Sequence, residues 1–109
     1  MITAKIVRDA WGKVIGFTVE NHGESIVCAA VSMLVLNTVN SIELLTEDNF
    51  VCDYDENGGY LKFTLTDPSS RTDGVEILLD AMVLGLTSAR KEYPEEIEIT
   101  ETCFERRLT

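Results

Sequence analysis

A chain of 109 residues, 45% of them apolar, is long enough to fill one hydrophobic core and short for two. Its 19 acidic and 9 basic side chains leave a formal charge of −10, a field that repels phosphate backbones and anionic lipid surfaces and draws in cationic peptides. Direct binding to nucleic acid or membrane is therefore not expected, and seven glycines and two prolines are too few for a disordered or collagen-like chain.

Residues 1–109 read as a single domain. Ile2, Ala4 and Ile6 alternate with Thr3 and Lys5, the period of a half-buried strand, and Asp9-Ala10-Trp11-Gly12 supplies a turn. Trp11 is expected to pack across that hairpin. The β-branched and aromatic residues of Val14 to Glu20 make the second strand. From Ser25 the period becomes helical, with apolar residues nearly all round. The longest apolar stretch, Ile26 to Leu36, is broken by Cys28 and Ser32 and is too short to cross a bilayer, so a core helix is expected, with its surplus apolar surface forming a homodimer interface.

Phe50 to Asp55 and Tyr60 to Leu65 flank Glu56-Asn57-Gly58-Gly59, a strong hairpin signal. Asp67-Pro68-Ser69-Ser70 is expected to open a second helix, with Val75, Leu78, Leu79, Met82 and Leu86 inward. Arg71, Asp73, Glu76, Asp80 and Arg90 mark its wet face, and Tyr93-Pro94 ends it. Ile97 and Ile99 alternate with glutamates in a last strand, before a frayed tail from Arg106 to Thr109. The order ββαββαβ describes an α+β domain in two layers, both helices on one face of the sheet.

Chemistry is expected at Cys28. With Ser25 as the N-cap, Cys28 falls in the first helical turn, where unpaired N–H groups and the helix dipole favour a thiolate. His22, the chain's single histidine, lies six residues upstream, close enough for a turn to bring the side chains together. The plainer alternative for a lone His-x5-Cys is a buried helix cysteine beside a polar turn residue. Cys52 and Cys103 lack such a setting. Three widely spaced cysteines without a Cys-x-x-Cys pair read as reduced thiols, and neither metal nor cofactor is expected. Asp53, Asp55 and Glu56 read as a solvated hairpin end. The N-terminal residues alternate where a signal peptide would be continuously apolar, so the expected compartment is the cytoplasm.

Ile26-Val27-Cys28-Ala29-Ala30-Val31-Ser32 resembles the helix-opening segment of the Prp family, the bacterial ribosomal-processing cysteine proteases, and the length and element order agree over nearly the whole chain. The resemblance implies an endopeptidase with a Cys-His dyad that removes a short N-terminal extension from the large-subunit ribosomal protein L twenty-seven. Cys28 would be the nucleophile and His22 the general base and acid; Ser32, one turn on, would assist substrate binding, with Ser25 supporting the site. A back-bond from the Ser32 hydroxyl to the carbonyl four residues earlier is the structural alternative. The chain departs from the family in two ways. Asn21-His22-Gly23-Glu24 stands where members have Gly-His-Ala and a longer glycine-containing loop, and Ser25 stands where they have an acidic residue. These departures sustain a second reading, a non-catalytic homologue that binds a basic ribosomal-protein peptide.

Overall fold

The computed structural model describes residues 1–21, 25–55 and 59–103, and for Ser25 the backbone alone. Strands β1 (Ile2–Arg8) and β2 (Val14–Glu20) are followed by helix α1 (Ser25–Leu45), strands β3 (Phe50–Tyr54) and β4 (Tyr60–Leu65), a 3₁₀ turn (Pro68–Ser70), helix α2 (Asp73–Glu92) and strand β5 (Ile97–Cys103). The sheet order is β3-β4-β2-β1-β5, with β5 parallel to β1 and the other pairs antiparallel. The expected ββαββαβ order and two-layer α+β class are thus found.

Register explains which side of the sheet is covered. Ile6 pairs with Phe17, Phe17 with Phe63 and Phe63 with Cys52, while Ala4 aligns with Val19 and Ile99, so the apolar members of five strands share one face. Phe63 stacks on Phe17 and on Phe50, with ring centroids 5.1 and 4.9 Å apart. Each fully buried side chain of this size contributes about 1.5–3 kcal/mol from its removal from water. Onto this face α1 lays Val27, Val31, Val35, Val39 and Ile42, and α2 lays Val75, Leu79, Met82 and Leu86, both at helical spacing.

Several expectations change. The second helix starts at Asp73, not at Pro68, because Arg71 and Thr72 are extended and Thr72 is the N-cap, its hydroxyl accepting from the Val75 amide. The carboxylate of Asp48 holds Thr72 there by accepting from both its amide and its hydroxyl. Trp11 does not pack across the hairpin; it stands 81% exposed at the tip, where the turn is closed by backbone bonds between Asp9 and both Gly12 and Lys13. Arg71 and Glu76 are not on a wet face. The Arg71 guanidinium is clasped between Asp9 Oδ2 at 2.8 Å and Glu76 Oε1 at 2.9 Å, tying the β1–β2 turn to the start of α2.

The apolar character of α1 also runs past Leu36. The segment Ile26–Leu45 is long and apolar enough, by length and composition, to cross a membrane. Here one side of it is core, while Ile26, Met33, Leu36, Leu44 and Leu45 remain exposed. The turn residues 56–58 and the tail from 104 lie outside the described residues.

Candidate active site

Cys28, Val31, Ser32 and Val35 fall at i, i+3, i+4 and i+7 of α1, so one stripe of the helix carries them all. That stripe forms one wall of a cavity of about 310 Å³. Its floor is the end of the sheet, contributed by Ile2, Val19 and Leu61, and the opposite wall consists of Asn21, Tyr54, Asp55 and Gly59. The cavity is largely apolar, with Ser32 exposed on the helix side and Asp55 exposed on the hairpin side.

Ser25 is the first residue of α1 instead of the residue before it, which moves Cys28 from the third helical position to the fourth. The thiol remains in the opening turn, half-buried, and a helical side chain leans toward the N-terminus, the end where the dipole is positive. Capping by the Ser25 hydroxyl and the position of His22 lie outside the described residues, as does Glu24. Among the described residues the structure therefore brings together Cys28 and Ser32, two of the four expected site residues.

The other thiols are placed differently. Cys52 sits on the inner side of β3 opposite Phe63; burial pushes its thiol up, and the carboxylate of Asp53 adds to the effect. Cys103 is exposed at the far end of β5, its thiol 3.4 Å from the Asp9 carbonyl that accepts from it. Among the described residues no three histidine, cysteine or acidic side chains gather as metal ligands.

Sequence reasoning passed over Asn21, Tyr54 and Asp55. Asp55 read as part of a solvated hairpin end and Tyr54 as a strand residue, yet both line the cavity with Cys28. Asn21 has a positive φ of 72°, and its amide donates to the Gly59 carbonyl at 2.8 Å. Its signal was available, since asparagine is among the few residue types that tolerate the left-handed region.

A half-buried thiol on the first turn of a helix, facing an apolar cleft in a two-layer α+β domain, has the setting of a thiol enzyme's nucleophile. The family model for the cysteine protease Prp matches residues 1–98, and the chain belongs to that family of ribosomal-processing cysteine proteases. The ribosomal processing cysteine protease Prp of Staphylococcus aureus is 31% identical over 105 residues, covering 91% of this chain and 97% of the relative. Crystal structures of the essential Staphylococcus aureus protease superpose on the whole fold. The complex with a covalently linked product peptide has a TM-score of 0.87 at 31% identity, and the complex with a substrate peptide 0.85 at 30%. Each covers 94% of this chain and 100% of the other.

Proposed function

We propose that this protein is a cytoplasmic cysteine endopeptidase that removes the N-terminal extension of the ribosomal protein L twenty-seven, with Cys28 as nucleophile and His22 as general base and acid. The observation that carries the reading is the place of Cys28, on the opening turn of α1 and on the wall of the apolar cleft. In the reaction the imidazole takes the thiol proton, and the sulfur attacks the scissile carbonyl. The same imidazole then protonates the leaving amine as the carbon–nitrogen bond breaks. Water, activated by the imidazole, hydrolyses the thioester and restores the thiol.

The formal charge of −10 supports a basic peptide as client, since it raises the local concentration of cations. Ser32 is exposed on the wall of the cleft, which suits a hydrogen bond to substrate; Ser25 is the first residue of the helix that carries Cys28 and Ser32. A ribosomal client suits a cytoplasmic enzyme. The exposed apolar residues of α1, with Ile77 and Leu84 of α2, support a homodimer.

The test is to incubate the protein, its Cys28→Ala variant and its His22→Ala variant with a peptide spanning the extension and the start of the mature client, following products by mass spectrometry. Cleavage by the wild type, none by Cys28→Ala and slowed cleavage by His22→Ala is the expected result. Intact peptide in every reaction, with binding retained, would instead establish the non-catalytic binder, the reading that the four residues 21–24 between β2 and α1 favour by leaving little chain for a loop.

A further inference from the structure

We infer that the outer edge of β3 is the docking strand for the client peptide, which adds to the sheet there and is led along that edge into the cleft. The inference rests on the reading above that the client is a basic peptide, and on backbone geometry independent of it. The order β3-β4-β2-β1-β5 puts β3 at one end of the sheet, and among the described residues no strand pairs with its outer side. The phase of its hydrogen bonds follows from the two ends of the hairpin. The Asp55 amide donates to the Tyr60 carbonyl at 3.1 Å and the Asn49 carbonyl accepts from the Thr66 amide at 3.1 Å, so Asn49, Val51, Asp53 and Asp55 are the residues bonded to β4. Phe50, Cys52 and Tyr54 therefore turn their amides and carbonyls away from β4, donors and acceptors along one line.

That line ends at the site. Tyr54, the last residue of the strand, and Asp55 line the cavity that Cys28 lines from α1. Side chains alternate across a strand, so on a peptide paired with β3 every second residue faces the layer that holds the cavity. Main-chain bonding of this kind supplies affinity for an extended peptide and leaves selection to pockets for alternate side chains. Charge decides the occupant. Asp53 lies within the edge and Asp55 at its end, and residues 50–55 include no base. Lys62 of β4 opposes Asp53 on one side, and a basic side chain of the peptide would oppose it on the other. Two copies of this chain meeting edge to edge would instead sum the charge of two acidic edges.

The test uses the full chain carrying Cys28→Ala, which keeps the peptide whole, and measures amide hydrogen exchange by NMR with and without a saturating peptide that spans the extension and the start of the mature client. Without peptide the amides of Val51 and Asp53 should exchange slowly and those of Phe50, Cys52 and Tyr54 quickly. With peptide the second set should slow about tenfold or more, the first changing little. A scan of single N-methyl groups along the peptide should weaken binding about three- to tenfold at every second residue of the paired stretch, and little at the residues between. Peptide that binds while Phe50, Cys52 and Tyr54 go on exchanging quickly would overturn the docking edge alone. Slow exchange of those three amides without peptide would also overturn it, and a dependence on protein concentration would then assign the edge to a second copy. A peptide that does not bind at all would overturn the client reading, and this inference with it.

Discussion

The Nη1 atom of Arg71, in the extended segment before α2, lies 2.8 Å from Oδ2 of Asp9 at the end of β1, and the guanidinium also binds Glu76. Burial pushes the Asp9 carboxyl up, but the Lys13 and Trp11 amides and the Arg71 charge outweigh it and hold the group below its ordinary value of 3.8. A carboxyl lowered in the fold binds protons more readily when unfolded. The stability it contributes is therefore complete above that ordinary value and is lost as the pH falls through the lower folded one. Asp9→Asn should lower unfolding stability at neutral pH by about 1–3 kcal/mol and flatten the loss of stability below about pH 4. Urea denaturation of both proteins between neutral and acid pH measures this; parallel curves would show that the pair does not couple the hairpin to α2.

Two glycines should respond differently to alanine. A Cβ on Gly16 would stand 2.9 Å from the carbonyl oxygen of Phe63, a backbone atom of the neighbouring strand that cannot move alone. One on Gly85 would meet Leu34 Cδ2 at 2.8 Å, the far end of a side chain that can turn aside. Gly16→Ala should cost about 2 kcal/mol, whereas Gly85→Ala should be near neutral, because better helix propensity offsets the repacking by about 1 kcal/mol. Chemical denaturation of the two variants checks the contrast, which equal losses would refute.

Cys52 should be the slowest of the three thiols to alkylate. It is half-buried behind β3 and its raised pKa leaves less thiolate at any given pH, whereas Cys103 is exposed. Peptide mapping after timed iodoacetamide treatment should show Cys103 modified well before Cys52, with the gap narrowing as the pH rises. Equal rates at neutral pH would place Cys52 at the surface.

Ser32 offers a way to separate hydrogen bonding from room in the cleft. It is exposed, so substitution should move stability by no more than about 0.5 kcal/mol. Ser32→Ala removes the hydroxyl alone and should raise KM of the extension peptide about two- to tenfold, the worth of one hydrogen bond. Ser32→Leu also fills the cavity and should weaken binding further. If the leucine variant binds peptide as wild type does, the cleft is not where the peptide lies.

The exposed apolar stripe of α1 gives the oligomer prediction. Met33 stands 71% exposed in its middle, and a carboxylate there would have to be buried unpaired in any interface that used the stripe. Sedimentation equilibrium should find wild-type dimers and Met33→Glu monomers that still melt cooperatively. Dimers in the variant would move the interface elsewhere.

The strands were legible because the sheet has one dry face. Alternation in Ile2, Ala4 and Ile6, and in Leu61, Phe63 and Leu65, is what one covered face imposes, and β1, β2 and β4 lie where their patterns end. The start of α2 was not legible, because Thr72 becomes its cap through Asp48, a partner 24 residues away. Arg71 was misread for the same reason: a charge on a helix approach looks solvated until the remote Asp9 is brought beside it. At the site, the helix start pointed to Cys28 and the family resemblance to Ser32, both on one helix. The facing wall of Asn21, Tyr54 and Asp55 comes from the ends of β2 and β3, and no local pattern marks where strands end beside a helix.

The position of β5 has a bearing on how the chain is made. Ile2 pairs with Ile97, so β1 finds its outer neighbour in β5, 95 positions further along the sequence. While the protein is still emerging from the ribosome, β1 can zip to β2 but keeps its other edge bare, a template for any extended segment nearby. A contact between strands so distant in sequence is slow to close, and the sheet is complete only once β5 has been made. A truncation that removes β5 would leave the nascent protein held indefinitely in that vulnerable state, with aggregation as its expected fate.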